Sequence, residues 1–182
     1  MNWFVGLEVP AFEGYRQLMA RLPDGLYPFD PQDLHLTIAF MGNCGQQRAL
    51  NAWEKVINEV AFAPFSITLR KVLPFGSRLS PSAYSAVPEL GKEAASNIIA
   101  RYRHVFLREA QVSPDPRPPR PHITLARPHR NTKPEQRSQH NAWALQLNLN
   151  NVRIPLEMIV LYTWADDRTA RQFKKVAWKK ME

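Results

Sequence analysis

Apolar and polar residues alternate along this chain with two different periods. Where apolar residues occupy every second position, as at Phe65, Ile67 and Leu69, the pattern predicts strands that bury one face. Where they recur every three or four residues, it predicts amphipathic helices. The predicted strands are 2–9, 34–40, 65–73, 83–87, 121–127, 142–149, 157–164 and 172–178, and the predicted helices are 11–20, 46–60 and 89–109. Prolines exclude a helix from 113–121, and the polar stretch between the predicted strand 121–127 and residue 140 is expected to be a loop.

Two of the predicted strands, 34–40 and 121–127, are near copies of one another. Successive side chains of a strand point to opposite faces, so residues two apart share a face. The first copy therefore presents His35 and Thr37 together, and the second presents His122 and Thr124. The opposite face of the first copy is apolar and is expected in the core, with Leu34, Leu36, Ile38 and Phe40. Two such polar faces turned toward each other would form a site.

The position of the two copies predicts how the chain is organised. They are separated by nearly half of the 182 residues, and each follows a predicted helix and an irregular run. This indicates a duplicated α+β unit with two lobes, in which antiparallel sheets and flanking helices surround a central cleft. The chain shows no linker between independent domains, so residues 1–182 are expected to form one domain.

The net charge of the chain indicates which class of ligand it binds. The chain has 24 basic and 16 acidic residues, a formal net charge of +8 and a pI near 9.9, which favours nucleic acid or another phosphorylated ligand. A single cysteine, Cys44, excludes an internal disulfide and favours a reducing cytoplasm. The sequence has no apolar run that could span a membrane and no signal peptide, so a cytoplasmic protein is expected.

Paired histidines are suited to proton transfer near neutral pH. An imidazole has an ordinary pKa of about 6.5, so one can be neutral and act as a base while the other is protonated and acts as an acid. The two threonine hydroxyls could hold phosphate oxygens, and a nearby arginine could offset developing charge. This chemistry fits attack on a phosphodiester without a metal or cofactor, with a bell-shaped pH dependence whose limbs lie near neutrality.

The residues around both motifs resemble the 2H phosphoesterase superfamily, which has two H-x-T-x motifs, here 35–38 and 122–125. The closer similarity is to the RNA 2′,3′-cyclic phosphodiesterases, also called 2′-5′ RNA ligases. It spans nearly the full length, and weaker matches lie at 7–10, 161–162 and 168–169. The resemblance implies hydrolysis of cyclic phosphate ends of RNA or oligonucleotides to a 2′-phosphate, with limited 2′-5′ ligation, the reverse reaction, as a side activity. A monomer that does not bind membranes is expected.

The resemblance also assigns roles that the two similar motifs do not distinguish. It implies that His35 donates a proton to the leaving group, that His122 accepts a proton from water, and that Thr37 and Thr124 hold the phosphate. Arg127 would bind substrate, although strict alternation places it on the face opposite His122, so it can do so only where the strand ends or bulges. Two alternatives remain open: a phosphodiesterase for another small cyclic phosphate, such as a nucleotide or ADP-ribose derivative, and a noncatalytic protein that binds RNA ends.

Overall fold

The computed structural model describes residues 1–77 and 80–182, and nine strands within that part of the chain form one antiparallel sheet. The first half contains β1 (Trp3–Glu8), α1 (Tyr15–Met19), β2 (Leu26–Pro28), a 3-10 turn (Pro31–Asp33), β3 (His35–Gly42), α2 (Gln46–Ile57) and β4 (Phe65–Gly76). The second half contains β5 (Pro81–Pro88), α3 (Lys92–Glu109), β6 (Ile123–Pro128), α4 (Pro134–Gln146), β7 (Asn148–Leu156), β8 (Met158–Trp164) and β9 (Phe173–Lys180).

The order of the strands is symmetric about the two motif strands. It runs β7-β4-β5-β6-β3-β1-β8-β9, and β2 adds to β6. The motif strands β3 and β6 therefore lie side by side in the middle of the sheet. The two sets of strands on either side of them are parts of one continuous sheet. The expected class, α+β with antiparallel strands and flanking helices, is confirmed.

Helices cover the apolar side of this sheet. The helix α3 packs against β3 and against α2, while α4 packs against β4. Because α3 follows β5 in the chain and yet contacts β3, it connects the two sets of strands through the core. The largest buried side chains include Leu36, Ile38 and Phe106. No helix in the described residues combines the length and hydropathy needed to cross a bilayer.

The helix α4 is the largest difference from the predicted elements. The polar stretch up to residue 140 was expected to be a loop, followed by a strand at 142–149, but α4 continues to Gln146 and β7 begins only at Asn148. The helix buries only His140 and Ala144, so it has little of the apolar periodicity that predicts helices. Its start has a local signal, because the Gln136 side chain accepts a hydrogen bond from the backbone N–H of Lys133.

Two smaller differences lie near the N-terminus. The helix predicted at 11–20 is reduced to Tyr15–Met19, and the short strand β2 was not predicted. Gly14, with φ of 78°, precedes the first helical residue in a left-handed conformation that a side chain would strain. The chain before it is therefore not helical, and the short helix turns back toward β2.

Candidate active site

The register between β3 and β6 brings the two motifs together. Leu36 pairs with Ile123 in the antiparallel bridge between the two strands. One residue to either side of that pair, His35 lies opposite Thr124 and Thr37 lies opposite His122. Each histidine is thus adjacent to the threonine of the other copy, and all four side chains share one face of the sheet.

Both histidines are anchored in the same way. The Nδ1–H of His35 donates to the carbonyl oxygen of Asp33 at 2.6 Å, and that of His122 donates to the carbonyl oxygen of Arg120 at 2.7 Å. A carbonyl oxygen can only accept, so in each ring Nδ1 carries the hydrogen and Nε2 is the nitrogen available for chemistry. The same backbone contact, to the residue two positions earlier, therefore sets the same tautomer in both copies.

Aromatic rings surround His35. Its ring lies 4.6 Å from that of Phe4, 5.6 Å from that of Tyr162 and 5.3 Å from that of Phe173, measured between centroids. Phe4 and Tyr162 are themselves stacked and buried. This cluster fixes the orientation of the imidazole and keeps water away from most of its surface.

His122 has a different environment. Its ring stacks on Phe75 with 4.3 Å between centroids, and the Arg120 guanidinium also contacts Phe75, 4.0 Å from the centroid of that ring. The neighbouring Thr124 is buried, and its hydroxyl oxygen lies 3.4 Å from that of Ser85. One histidine is therefore enclosed by apolar rings, whereas the other lies beside a cation.

A β-bulge follows each motif and changes which side chains face the site. In β3 the pairs Gly6–Thr37 and Val5–Ala39 leave one extra residue, Ile38, on the motif strand. The face reverses after the bulge, so Phe40 is 54% exposed. The prediction that Phe40 lies in the core with Leu34, Leu36 and Ile38 is therefore wrong.

The equivalent bulge in β6 moves Arg127 to the face of His122. The pairs Ser85–Thr124 and Tyr84–Ala126 leave Leu125 as the extra residue. The carbonyl oxygen of Leu125 accepts hydrogen bonds from the backbone N–H of Phe29 and the hydroxyl of Tyr15. Strict alternation would place Arg127 on the opposite face, and the bulge is the irregularity that brings it to the face of His122.

Burial and positive charge lower the pKa of both imidazoles. Desolvation is the largest cause at His35 and lowers its pKa, and the charges of His122 and Arg127 lower it further. The backbone hydrogen bond to Asp33 acts in the opposite direction, and the pKa falls to about 4. At His122 desolvation again dominates the decrease in pKa, with Arg120 and Arg127 adding to it. Both rings are therefore neutral at pH 7 in the unliganded protein.

Several site residues were not identified from the sequence. Phe4 and Phe173 lie in predicted strands and Phe75 lies just beyond one, and only the tertiary structure brings their rings against the histidines. Tyr162 lies in the weak 161–162 match, which was a usable signal. Asp33 lies two residues before His35, and its buried carboxylate accepts the backbone N–H groups of Gln172 and Phe173.

Within residues 1–77 and 80–182, no group of three His, Cys, Asp or Glu side chains has a geometry that could hold a metal ion. What the site does assemble is two neutral imidazoles, two hydroxyls and the guanidinium of Arg127, on adjacent strands. These groups can accept and donate protons and bind an anion.

Comparisons with known proteins indicate what this chain resembles in sequence and in fold. The family model described as "LigT like Phosphoesterase" matches residues 5–83, which include the first motif. No curated protein matches the chain significantly in sequence. The fold, however, is shared over almost the whole chain with several solved structures.

Three of these structures illustrate the range of the similarity. Escherichia coli LigT in complex with 3′-AMP has a TM-score of 0.74 at 17% identity, covering 99% of this chain and 97% of its own. TT0787 of Thermus thermophilus has a TM-score of 0.71 at 20% identity, covering 100% and 98%. Usb1 of Kluyveromyces marxianus has a TM-score of 0.58 at 12% identity, covering 88% and 92%. The family match in the N-terminal part and the shared fold over the whole length confirm that the chain resembles the LigT-like phosphoesterases of the 2H phosphoesterase superfamily.

Proposed function

We propose that this protein opens a terminal 2′,3′-cyclic phosphate of RNA or an oligonucleotide by hydrolysis to a 2′-phosphate. The observation that carries the proposal is the pair of histidines, one at the start of β3 and one directly before β6, each with Nδ1 bound to a backbone carbonyl and Nε2 free. A cyclic phosphodiester needs one group to take a proton from water and one to protonate the departing oxygen. The LigT-like family match supports phosphoester chemistry at this site.

The reaction follows from the free nitrogens. Nε2 of His122 accepts a proton from water as the water oxygen attacks phosphorus. The bond from phosphorus to the ribose O3′ then breaks, and O3′ takes a proton from Nε2 of the protonated His35. The ribose keeps its 2′-phosphate and gains a 3′-hydroxyl, and proton exchange with solvent restores both rings.

The different surroundings of the two rings support this assignment of roles. Apolar rings around His35 lower its pKa to about 4, so its protonated form is a strong acid and gives up a proton readily. Both rings are neutral at pH 7, so His122 can accept a proton there, whereas the protonated form of His35 becomes populated only toward pH 4. Thr37 and Thr124 would hold the nonbridging oxygens, and Arg127, on the same face after its bulge, would bind the anion.

Hydrolysis of a synthetic RNA that ends in a 2′,3′-cyclic phosphate, measured in excess chelator, tests the proposal. We expect His35→Ala and His122→Ala each to lower kcat/KM by roughly 100- to 10,000-fold, the usual effect of losing a general acid or base. His104→Ala is a matched control, since His104 lies exposed in α3, away from the cleft. The product should carry a 2′-phosphate.

Two outcomes would contradict the proposal. If the wild-type protein and both variants are equally inert but bind the RNA equally well, the protein is a noncatalytic binder of RNA ends. If only a small cyclic nucleotide or an ADP-ribose derivative is hydrolysed, the chemistry is retained but the substrate is different. A limited reverse reaction, ligation through a 2′-5′ bond, should depend on the same two histidines.

A further inference from the structure

A groove of about 1180 Å³ runs beside the histidine pair and shares Arg127 with it. Four parts of the chain form its walls: α1, the 3-10 turn with β2, the end of β6, and the loop between β8 and β9. Its cationic side chains are Arg16, Arg127, Arg130, Arg168 and Arg171. Residues far apart in the sequence therefore bring five guanidiniums to one surface next to the candidate active site.

Two carboxylates offset these guanidiniums only in part. Asp30 and Asp33 also line the groove, and the charge of Arg171 opposes the rise that burial causes in the pKa of Asp33. The Asp30 side chain accepts the backbone N–H of Gln32, and Asp33 accepts those of Gln172 and Phe173. In the part of the chain that the structure describes, no carboxylate lies within 4 Å of any of the five. Arg117, by contrast, pairs with Asp115 at 2.8 Å.

Aromatic side chains hold two of the guanidiniums without removing their charge. Arg127 lies 5.3 Å from the centroid of Phe29, and Arg168 lies 4.4 Å from that of Trp164. Desolvation, and then the charge of Arg168, lowers the pKa of Arg127, so the two cations are close enough to repel one another. A bound phosphate would relieve this repulsion.

Tyr27 adds an exposed aromatic surface to the same groove. It is 55% exposed and pairs with Arg127 across the strands β2 and β6. Its ring stacks on His129 with a centroid distance of 3.6 Å and an interplanar angle of 7°, which keeps it in place. Arginines that bind phosphates, together with an aromatic ring on which a base can stack, are the features that bind single-stranded nucleic acid.

We propose that this groove binds the nucleotides on the 5′ side of the cyclic phosphate in single-stranded RNA, with phosphates on the arginines and one base stacked on Tyr27. The inference rests on the proposed function and extends it to the kind of substrate. A cyclic phosphate ends an RNA chain at its 3′ terminus, so all other nucleotides lie on its 5′ side and need a path away from the histidines. The protein would thus prefer an oligonucleotide to a mononucleotide.

Comparison of substrates of different length tests the inference. We expect wild-type kcat/KM to be at least about 10-fold higher for an octanucleotide than for a mononucleotide with the same cyclic end, at about 50 mM KCl. The Arg16→Gln/Arg130→Gln double variant should lower this ratio at least about 5-fold. It should also reduce the slope of log kcat/KM against log salt by about 1.4, since each phosphate contact on a single strand contributes about 0.7.

A second double variant controls for net charge. Arg48→Gln/Arg101→Gln removes the same charge from the exposed surfaces of α2 and α3 and should leave the ratio unchanged. Tyr27→Leu should lower the ratio at least about 5-fold, toward one, because one stacked base is lost.

The inference and the proposed function can fail separately. The groove does not bind RNA if the wild-type ratio of kcat/KM values is near one, or if that ratio decreases equally in the two double variants. Neither result would contradict the proposed hydrolysis. If neither substrate is hydrolysed, the proposed function fails, and fluorescence anisotropy of an octanucleotide with a 3′-phosphate tests the groove directly. Weaker binding by Arg16→Gln/Arg130→Gln than by the control would then support the groove, and equal binding would refute it.

Discussion

At the scale of single residues, the site depends on how each imidazole is held. A hydrogen bond to the carbonyl of the residue two positions earlier leaves Nε2 free in both His35 and His122. Desolvation and neighbouring cations lower the pKa of both rings below the ordinary value of about 6.5. The sequence alone predicts that both limbs of the pH–rate profile lie near neutrality. The lowered pKa values instead predict that both limbs lie below neutral pH in the free protein.

An NMR titration of the imidazoles checks these shifts. We expect the pKa of His35 to lie near 4 and that of His122 below 6.5, so that kcat/KM is greatest below pH 6.5. Arg127→Gln removes a positive charge that disfavours both protonated rings, so it should raise both pKa values, whereas Arg48→Gln in α2 should leave them unchanged. If both rings titrate at about 6.5 and do not respond to Arg127→Gln, the electrostatic description of the site is wrong.

At the scale of elements, bulges and a buried carboxylate arrange the strands around the histidines. The bulges at Ile38 and Leu125 occupy the fourth position of each motif and turn Phe40 and Arg127 toward the site. Asp33 connects the start of β9 to the segment of His35, because its carboxylate accepts the backbone N–H groups of Gln172 and Phe173. The loop between β8 and β9, which carries two of the groove arginines, is thereby joined to the first motif.

Substitution of Asp33 measures that connection. Asp33→Ala leaves two N–H groups without an acceptor, so we expect the free energy of unfolding to fall by about 2–4 kcal/mol. Hydrogen exchange at the amides of Gln172 and Phe173 should accelerate, and kcat/KM should fall because Phe173 packs edge-on against His35. Asp33→Asn keeps one acceptor oxygen and should recover part of each effect. Unchanged exchange at both amides in Asp33→Ala would show that the contact does not hold the hairpin.

At the scale of the whole molecule, the two sets of strands share a core. The bridge between β3 and β6 consists of the Leu36–Ile123 pair, which alone would join them weakly. The buried side chains nevertheless form a cluster that extends from β1 to β8 and through α3. The helix α3 follows β5 in the chain and packs on β3, so it joins the two sets of strands where the sheet has few hydrogen bonds between them.

A core substitution in α3 tests whether the halves unfold together. Phe106 is fully buried, and Phe106→Ala should lower the free energy of unfolding by about 3–5 kcal/mol. Urea unfolding should remain a single transition, identical by far-UV circular dichroism and tryptophan fluorescence, in both the wild-type protein and the variant. Two separate transitions would indicate that the halves fold independently.

The local elements show how much could be predicted from sequence. The strands that carry the motifs have clear period-two alternation, and the pairing of His35 with Thr37, and of His122 with Thr124, on one face depends only on that period. The helix α4 has no such pattern, because only His140 and Ala144 are buried in it. Its position was missed because packing against β4, rather than its own periodicity, accounts for its place in the fold.

Local sequence is therefore enough to predict the strand character of the two motifs, the shared face of their polar side chains and the resemblance to the 2H phosphoesterases. Long-range packing places Arg127 on the face of the histidines, surrounds His35 with aromatic rings and brings five arginines into one groove. The difference lies in how far apart along the chain the interacting residues are. Alternation is set by the backbone of a single strand, whereas a bulge requires a partner strand and a groove requires elements from distant parts of the chain to pack together.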